Sequence, residues 1–341
     1  MERNKYGAHR VLEPKGVLPQ PAIRLDNNFS KISDNEMLCD VETLNIDSAS
    51  FTDLVNRANN NPKEIAHMLK KIVDIRGKCQ NPTTKSGGMF LGKIVRIGKN
   101  INTNLKKGDR ICSLVSLSLT PLRIDKILKV YIDTDKVDIK GQAVLFPSGI
   151  WVKMPDDLPE SLVVSVLDVA GAPAQTYRLV QPDDTVAVLG ARGKSGMLCC
   201  YAARKKRAKK VIAVIHSENG REDVDNASFI DEVIVAPVDD ALGLLDKVEK
   251  QNNGNLCDVV INCVSRPNCE MGSILITLHG GTVYFFSMTT DFTKAALGAE
   301  GVGRDVKMII GNGYCPNHAE YVLDIMRKNT YLRGLYEQRY C

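Results

Sequence analysis

A chain of 341 residues, 44% hydrophobic and 25% charged, with a formal net charge of +5, is long enough for two packed domains and too mildly basic to mark a nucleic-acid binder. No apolar run approaches the ~20 residues of a membrane span, and residues 1–25 lack the apolar centre of a signal peptide, so a cytoplasmic protein without a membrane partner is expected. The ten cysteines contain no C-x-x-C pair, which argues for reduced, buried thiols rather than a zinc ribbon.

Residues 1–30 hold three prolines and two glycines between Tyr6 and Pro21, which forbid a long helix there. The expectation is an extended arm carrying His9, Arg10, Glu13, Lys15 and Arg24, either solvated or folded over a polar substrate. Residues 34–76 mix short strands with a helix over Pro62–Lys71, proline in its first turn. Ser86–Gly98 and Leu105–Ser113 alternate between glycines, the pattern of bent β-structure in a small barrel. Helical character begins at Val163.

The organising stretch is Thr185–Gly196. Val186–Leu189 is a short apolar run suited to a buried parallel strand. It breaks into Gly190, Gly193 and Gly196 and then runs into a helix opening at Met197. Strand, glycine turn and helix in that order present backbone N–H groups to a pyrophosphate. The spacing is G-x-x-G-x-x-G rather than G-x-G-x-x-G, so the regular fingerprint is not met. Gly193-Lys194-Ser195 also ends like an ATP-binding loop, but the glycine needed five residues earlier is Val188, and the loop is too short to wrap a triphosphate.

Further strands are expected at Val211–Ile215, Glu232–Val235, Asp258–Asn262, Thr282–Ser287 and Val306–Ile310, with helices such as Ala241–Glu249 between most of them. This alternation predicts an α/β fold with a doubly wound parallel sheet, which strengthens the cofactor reading of the glycine turn. The basic cluster Arg204–Arg207 with Lys209 and Lys210 falls at the far end of the helix that starts at the turn. There cations complement the helix dipole.

Several of these segments together resemble the medium-chain dehydrogenase/reductase superfamily: Gly92–Gly98 with Lys107–Ile111, Gly190–Gly196 in the spacing of its quinone-reductase-like branch, and Gly280–Met288. Tyr6–Pro21, Met308–Tyr314 and Leu332–Tyr340 are similar to the L-erythro-3,5-diaminohexanoate dehydrogenase family of lysine fermentation, a likeness that spans essentially the whole chain. The resemblance implies a GroES-like β-rich catalytic domain over residues 1–165 and a Rossmann domain over 166–313. A segment, 314–341, is expected to return to the catalytic domain, and a homodimer is expected. It also implies oxidative deamination of (3S,5S)-3,5-diaminohexanoate to 5-amino-3-oxohexanoate and ammonia, with NAD or NADP as hydride acceptor.

Candidate cofactor residues are Gly190, Ala191, Arg192, Gly193, Lys194, Ser195, Gly196, Ser217, Arg221, Cys263, Val264, Ser287 and Met288. The second strand leads into Ile215-His216-Ser217-Glu218, without an acidic residue at the place that binds the ribose 2′-OH of NAD. Ser217 and Arg221 could take a 2′-phosphate, so both cofactors stay open. The superfamily's zinc-binding histidine falls on Gly88 here, with Met89 after it. Cys79 and Asp168 fall near two other ligand positions and do not complete a three-ligand site, so a metal-free enzyme is expected. An amine donor suits that expectation, because an iminium is already electrophilic enough for water. The substrate ammonium must first lose a proton, and Asp168, Glu13 and His9 are the candidate bases. Arg10, Lys15 and Arg24 are the candidate partners of the substrate carboxylate. The alternatives are a quinone or enoyl reductase on the same fold and a non-catalytic NAD(P)-binding protein.

Overall fold

The computed structural model of the chain describes residues 4–311 and 313–341; Asn312, inside the Met308–Tyr314 stretch, lies outside the described residues. The chain divides into a unit running to Asp168, which also takes in Arg339–Cys341, and a second unit from Val169 to Gln338. No helix among the described residues is long and apolar enough to cross a membrane.

The first unit opens with a two-stranded antiparallel ribbon, β1 (Val11–Glu13) and β2 (Arg24–Leu25), where an extended arm was expected. β3 (Met37–Asn45) leads into α1 (Ser48–Arg57) and α2 (Pro62–Arg76), followed by β4 (Met89–Ile97), β5 (Arg110–Ser113), β6 (Leu122–Tyr131), β7 (Lys136–Leu145), β8 (Trp151–Lys153) and α3 (Glu160–Leu167). The strands pair antiparallel in the order β6-β7-β3-β4-β5-β8. In β7 every second residue, Val137, Ile139, Gly141 and Ala143, is buried, as a sheet with one face on a core requires. α2 is written in local signals. The Asn61 side chain accepts the Lys63 N–H, Pro62 sits in the first turn, and Gly77 ends the helix in the left-handed region. Its Ile65, Leu69 and Val73, spaced four apart, pack with Phe51 and Leu54 of α1 and with Leu44 and Phe90 of the sheet.

The second unit alternates helix and strand: α4 (Gly171–Leu179), β9 (Thr185–Leu189), α5 (Lys194–Lys205), β10 (Lys210–Ile215), α6 (Glu222–Asp225), β11 (Glu232–Val235), α7 (Ala241–Gln251), β12 (Cys257–Asn262), α8 (Glu270–Leu275), β13 (Thr277–Phe285), α9 (Phe292–Gly301), β14 (Lys307–Ile310), α10 (His318–Lys328) and α11 (Thr330–Tyr340). All six strands run parallel in the order β11-β10-β9-β12-β13-β14. The strand order therefore reverses between β9 and β12, the place where a doubly wound sheet opens a crevice. β13 begins at Thr277 rather than Thr282, because Thr277 pairs with Cys257 ahead of a register shift.

The C-terminal segment is shared between the two groupings. Residues 314–338 group with the dinucleotide-type unit, and only Arg339–Cys341 group with the β-rich one. The cause is packing. α10 buries Val322, Leu323 and Met326, the Tyr336 hydroxyl donates to the Lys194 carbonyl, and the Tyr331 hydroxyl donates to the Asp223 carbonyl. Arg204 of the basic cluster is used inside the fold, donating to the Asp231 carboxylate and the Ala208 carbonyl.

Candidate functional site

The glycine turn has a separate steric reason at each glycine. Gly190 adopts φ +75°, a left-handed conformation a side chain would strain, and a Cβ there would reach Val264 Cγ2 at 3.1 Å. At Gly196 a Cβ would lie 2.3 Å from the Gly190 carbonyl oxygen, so α5 packs against the turn only because that position is bare. Gly193 precedes α5, and no side chain caps the helix. The amides of its first turn, Ser195 and Gly196 among them, lack intrahelical acceptors by helix geometry and form an anion cradle. Ala191 is fully buried, with its N–H on the Val214 carbonyl, so it shapes the turn from behind.

A cleft of about 310 Å³ opens at the carboxyl ends of β9, β10 and β12. Of the expected residues, Gly190, Arg192, Gly193, Ser217, Cys263 and Val264 line it. Ile215, the last residue of β10, lines it too, as do His216, Asn219, Asp239 and Arg266, which follow the strand ends, a placement that the strand assignments alone would have flagged. Arg192 Nε donates to the Gly220 carbonyl at 3.2 Å and pairs with Asp223 at 3.4 Å. Arg221 does not face the cleft. It pairs with Glu218 and Asp225 on its own turn of chain, exposed partners that a 2′-phosphate would have to displace. Ser287 bonds Thr289 and Met288 is exposed; both follow β13 and neither lines the cleft.

Two thiols meet under the turn. Cys199 on α5 and Cys263 after β12 place their sulfurs 4.0 Å apart. Hydrogen bonding from Cys199, and then from Ser195, lowers the Cys263 thiol below its ordinary range against the effect of burial, while burial pushes Cys199 up.

In the first unit the arm residues separate into anchors and exposed groups. Arg10 spends all five guanidinium donors inside the fold. Nε and Nη2 reach Glu36 at 2.7 and 2.9 Å, and the rest reach Asp26 and the Asn28 and Lys31 carbonyls. His9 Nε2 lies 2.8 Å from the same Glu36 carboxylate, and its ring meets Phe146 edge-on. Burial opposes the Glu36 charge, yet hydrogen bonds from Arg10, His9 and the Ser33 amide outweigh it and hold the carboxyl well below the usual range. Arg10 is thus no carboxylate fork, and His9 has its accessible nitrogen committed; both tie the arm to the core. Glu13, Lys15 and Arg24 are exposed on the β1–β2 ribbon. Asp168 closes α3 and is half-buried.

Gly88 is bare for packing reasons. It adopts φ +100°, and a Cβ there would lie 2.1 Å from the Asn45 carbonyl oxygen and 2.7 Å from the Asp47 nitrogen. Among the described residues no three His, Cys, Asp or Glu side chains group to hold a metal ion. The corner against which Gly88 packs holds a feature that sequence reasoning missed. The side-chain amide of Asn45 and Oδ2 of Asp47 are buried without hydrogen-bond partners. Only the helix-capping pattern, an aspartate just before Ser48, marked this corner in the sequence.

A family model described as the L-erythro-3,5-diaminohexanoate dehydrogenase N-terminal domain matches residues 9–155. The chain is 51% identical over 344 residues to the L-erythro-3,5-diaminohexanoate dehydrogenase of Acetoanaerobium sticklandii, covering 100% of both chains. It is 48% identical over 340 residues to the enzyme of that name from Fusobacterium nucleatum, covering 98% of both. Among solved structures, mycobacterial Rv1454c complexed with NADPH is similar with a TM-score of 0.57 at 18% identity, over 93% of this chain and 92% of that one, a likeness of fold alone.

Proposed function

The chain belongs to the L-erythro-3,5-diaminohexanoate dehydrogenase family, and on that premise we propose that it oxidatively deaminates (3S,5S)-3,5-diaminohexanoate to 5-amino-3-oxohexanoate with NAD or NADP. The observation that carries the proposal is the end-to-end likeness to two relatives of that name, which spans both units. The bare turn at Gly190, Gly193 and Gly196 supports it, since it fits a dinucleotide pyrophosphate. Ser217, Cys263 and Val264 would line the rest of that cofactor's site. The nicotinamide, when bound, supplies the hydride acceptor.

The balance of the reaction fixes what the protein must supply. One ammonium substrate and one water become one ketone and one ammonium ion, with two electrons leaving as hydride and one proton released. The reacting nitrogen must be deprotonated before hydride leaves, against an ordinary alkylammonium pKa of about 10. A carboxylate that accepts this proton lowers the barrier, and the electrophilic iminium then takes water without a Lewis acid. We retain Asp168 and Glu13 as carboxylates for substrate ammonium groups, and Lys15 and Arg24 for its carboxylate. We also propose a homodimer, because β14 ends the parallel sheet with one neighbour only and exposes Ile310 at that edge. Purified protein should reduce NAD(P) with the diamine and release ammonia. Reduction of a quinone with no turnover of the diamine would overturn the proposal.

A further inference from the structure

Resting on the reading of the glycine-turn cleft as a dinucleotide site, we infer that Cys263 and Cys199 are a peroxide-sensitive thiol pair whose disulfide weakens cofactor binding. The pair stands on its placement. Cys263 follows β12, is partly exposed and lines the cleft, whereas Cys199 is fully buried in α5. Their sulfurs lie 4.0 Å apart. Ser195 and Cys199 are four positions apart on α5, hence on one face of it, and both donate to the Cys263 sulfur. Ser195 belongs to the first turn of α5, the end of a helix that stabilises an anion. These hydrogen bonds favour the Cys263 thiolate against burial. Cys269 lines the cleft too, but burial, and then the charges of Asp239 and Glu270, push it up to about 11, so it stays a neutral thiol.

The chemistry that fits is two-electron oxidation by hydrogen peroxide, which is small enough to enter the cleft. The Cys263 thiolate attacks one peroxide oxygen. A sulfur–oxygen bond forms, the oxygen–oxygen bond breaks, and the departing hydroxide leaves as water with the proton that Cys263 had released. The Cys199 sulfur then attacks the sulfenic sulfur. The disulfide bond forms, the sulfur–oxygen bond breaks, and the Cys199 proton leaves in a second water. Two thiols and one hydrogen peroxide thus become one disulfide and two waters, and a small dithiol reverses the change by exchange.

Closing the pair bears on the anion cradle. A disulfide holds its sulfurs about 2 Å apart, so these two must approach by about 2 Å. Both sides of the bridge touch the glycine turn. A Cβ on Gly190 would lie 3.4 Å from the Cys263 carbonyl, and one on Gly196, in α5, would lie 2.3 Å from the Gly190 carbonyl oxygen. With so little slack on either side, drawing α5 toward Cys263 displaces the amides that would hold the pyrophosphate. The coupling is reciprocal: a disulfide that weakens cofactor binding is itself opposed by bound cofactor.

Peroxide titration of the pre-reduced, unaltered protein tests the inference, with peptide mapping by mass spectrometry and NAD(P)H fluorescence as readouts. In the cofactor-free protein a Cys199–Cys263 bridge should form, the Kd for NAD(P)H should rise at least ~10-fold, and dithiothreitol should restore both. Saturating cofactor should raise the midpoint potential of the pair by about 30 mV for each tenfold in affinity. Cys199→Ala should bind NAD(P)H normally when reduced and, after peroxide, stop at a sulfenic acid on Cys263 that dimedone traps. Peroxide treatment that leaves Cys199 reduced in the unaltered protein would overturn the inference. A bridged protein with NAD(P)H affinity within ~2-fold of normal would overturn it too. Reduced protein that binds neither NADH nor NADPH would remove the cofactor reading itself, whereas tight binding that survives the bridge removes this inference alone.

Discussion

Replacing Glu36 by glutamine separates an arm that anchors from an arm that binds substrate. The carboxylate is almost wholly buried and takes two hydrogen bonds from Arg10, one from the Ser33 amide and a contact from His9, all within 2.9 Å. Glutamine keeps one acceptor, turns an amide N–H toward a guanidinium that has only donors, and leaves the Arg10 cation buried and short of its counter-charge. Breaking one side of a buried ion pair costs about 3–5 kcal/mol. For a unit of this size that lowers the melting temperature by roughly 6–20 °C. The loss should depend on pH. The Glu36 pKa is depressed in the fold, so its contribution is complete above the ordinary value of 4.5 and fades as pH falls toward the folded value. The gap between the unaltered protein and Glu36→Gln should therefore narrow in acid. Differential scanning calorimetry at pH 7 and pH 3.5, with steady-state kinetics on the surviving fold, makes the comparison. A melting temperature within ~2 °C of normal together with a raised KM for the diamine would refute the anchoring account and return Arg10 to substrate binding.

Gly196→Ala places a methyl 2.3 Å from the Gly190 carbonyl, so α5 must back away from the turn; NAD(P)H fluorescence titration should show affinity falling at least ~10-fold, about 1.4 kcal/mol. Cys263 lines the cleft and is the more acidic of its pair, so after the exposed Cys341 it should be the next thiol that maleimide labels, and saturating NAD(P)H should slow that labelling; peptide mapping by mass spectrometry reads it. Gly88→Ala combines a left-handed backbone with a Cβ 2.1 Å from Asn45, and the melting curve should register a loss of about 3 kcal/mol.

The parallel sheet was legible because its strands are continuous apolar runs and its glycines interrupt them where the chain must turn. The information for β9 and the Gly190 turn lies within a dozen consecutive residues. Long-range pairings carry no such local mark. Arg10 reads as an available cation until Glu36, twenty-six positions away, is folded against it. Arg221 reads as a phosphate ligand until Glu218 and Asp225 claim it, and here the acids were close by in sequence. The C-terminal helices show the same limit, because an amphipathic face states that it will pack without stating on what. Asn45 and Asp47 were hidden for another reason. Their significance is an absence of partners, and burial without a partner exists only in three dimensions.

The central claim is that the carbon bearing the 3-amino group gives its hydride to the nicotinamide. Substrate carrying deuterium at C3 tests it directly, with mass spectrometry of the reduced cofactor and an ammonia assay on the same reaction. One deuterium in the cofactor for each ammonia released is the expected result. Ammonia without cofactor reduction, or reduced cofactor free of deuterium, would contradict it.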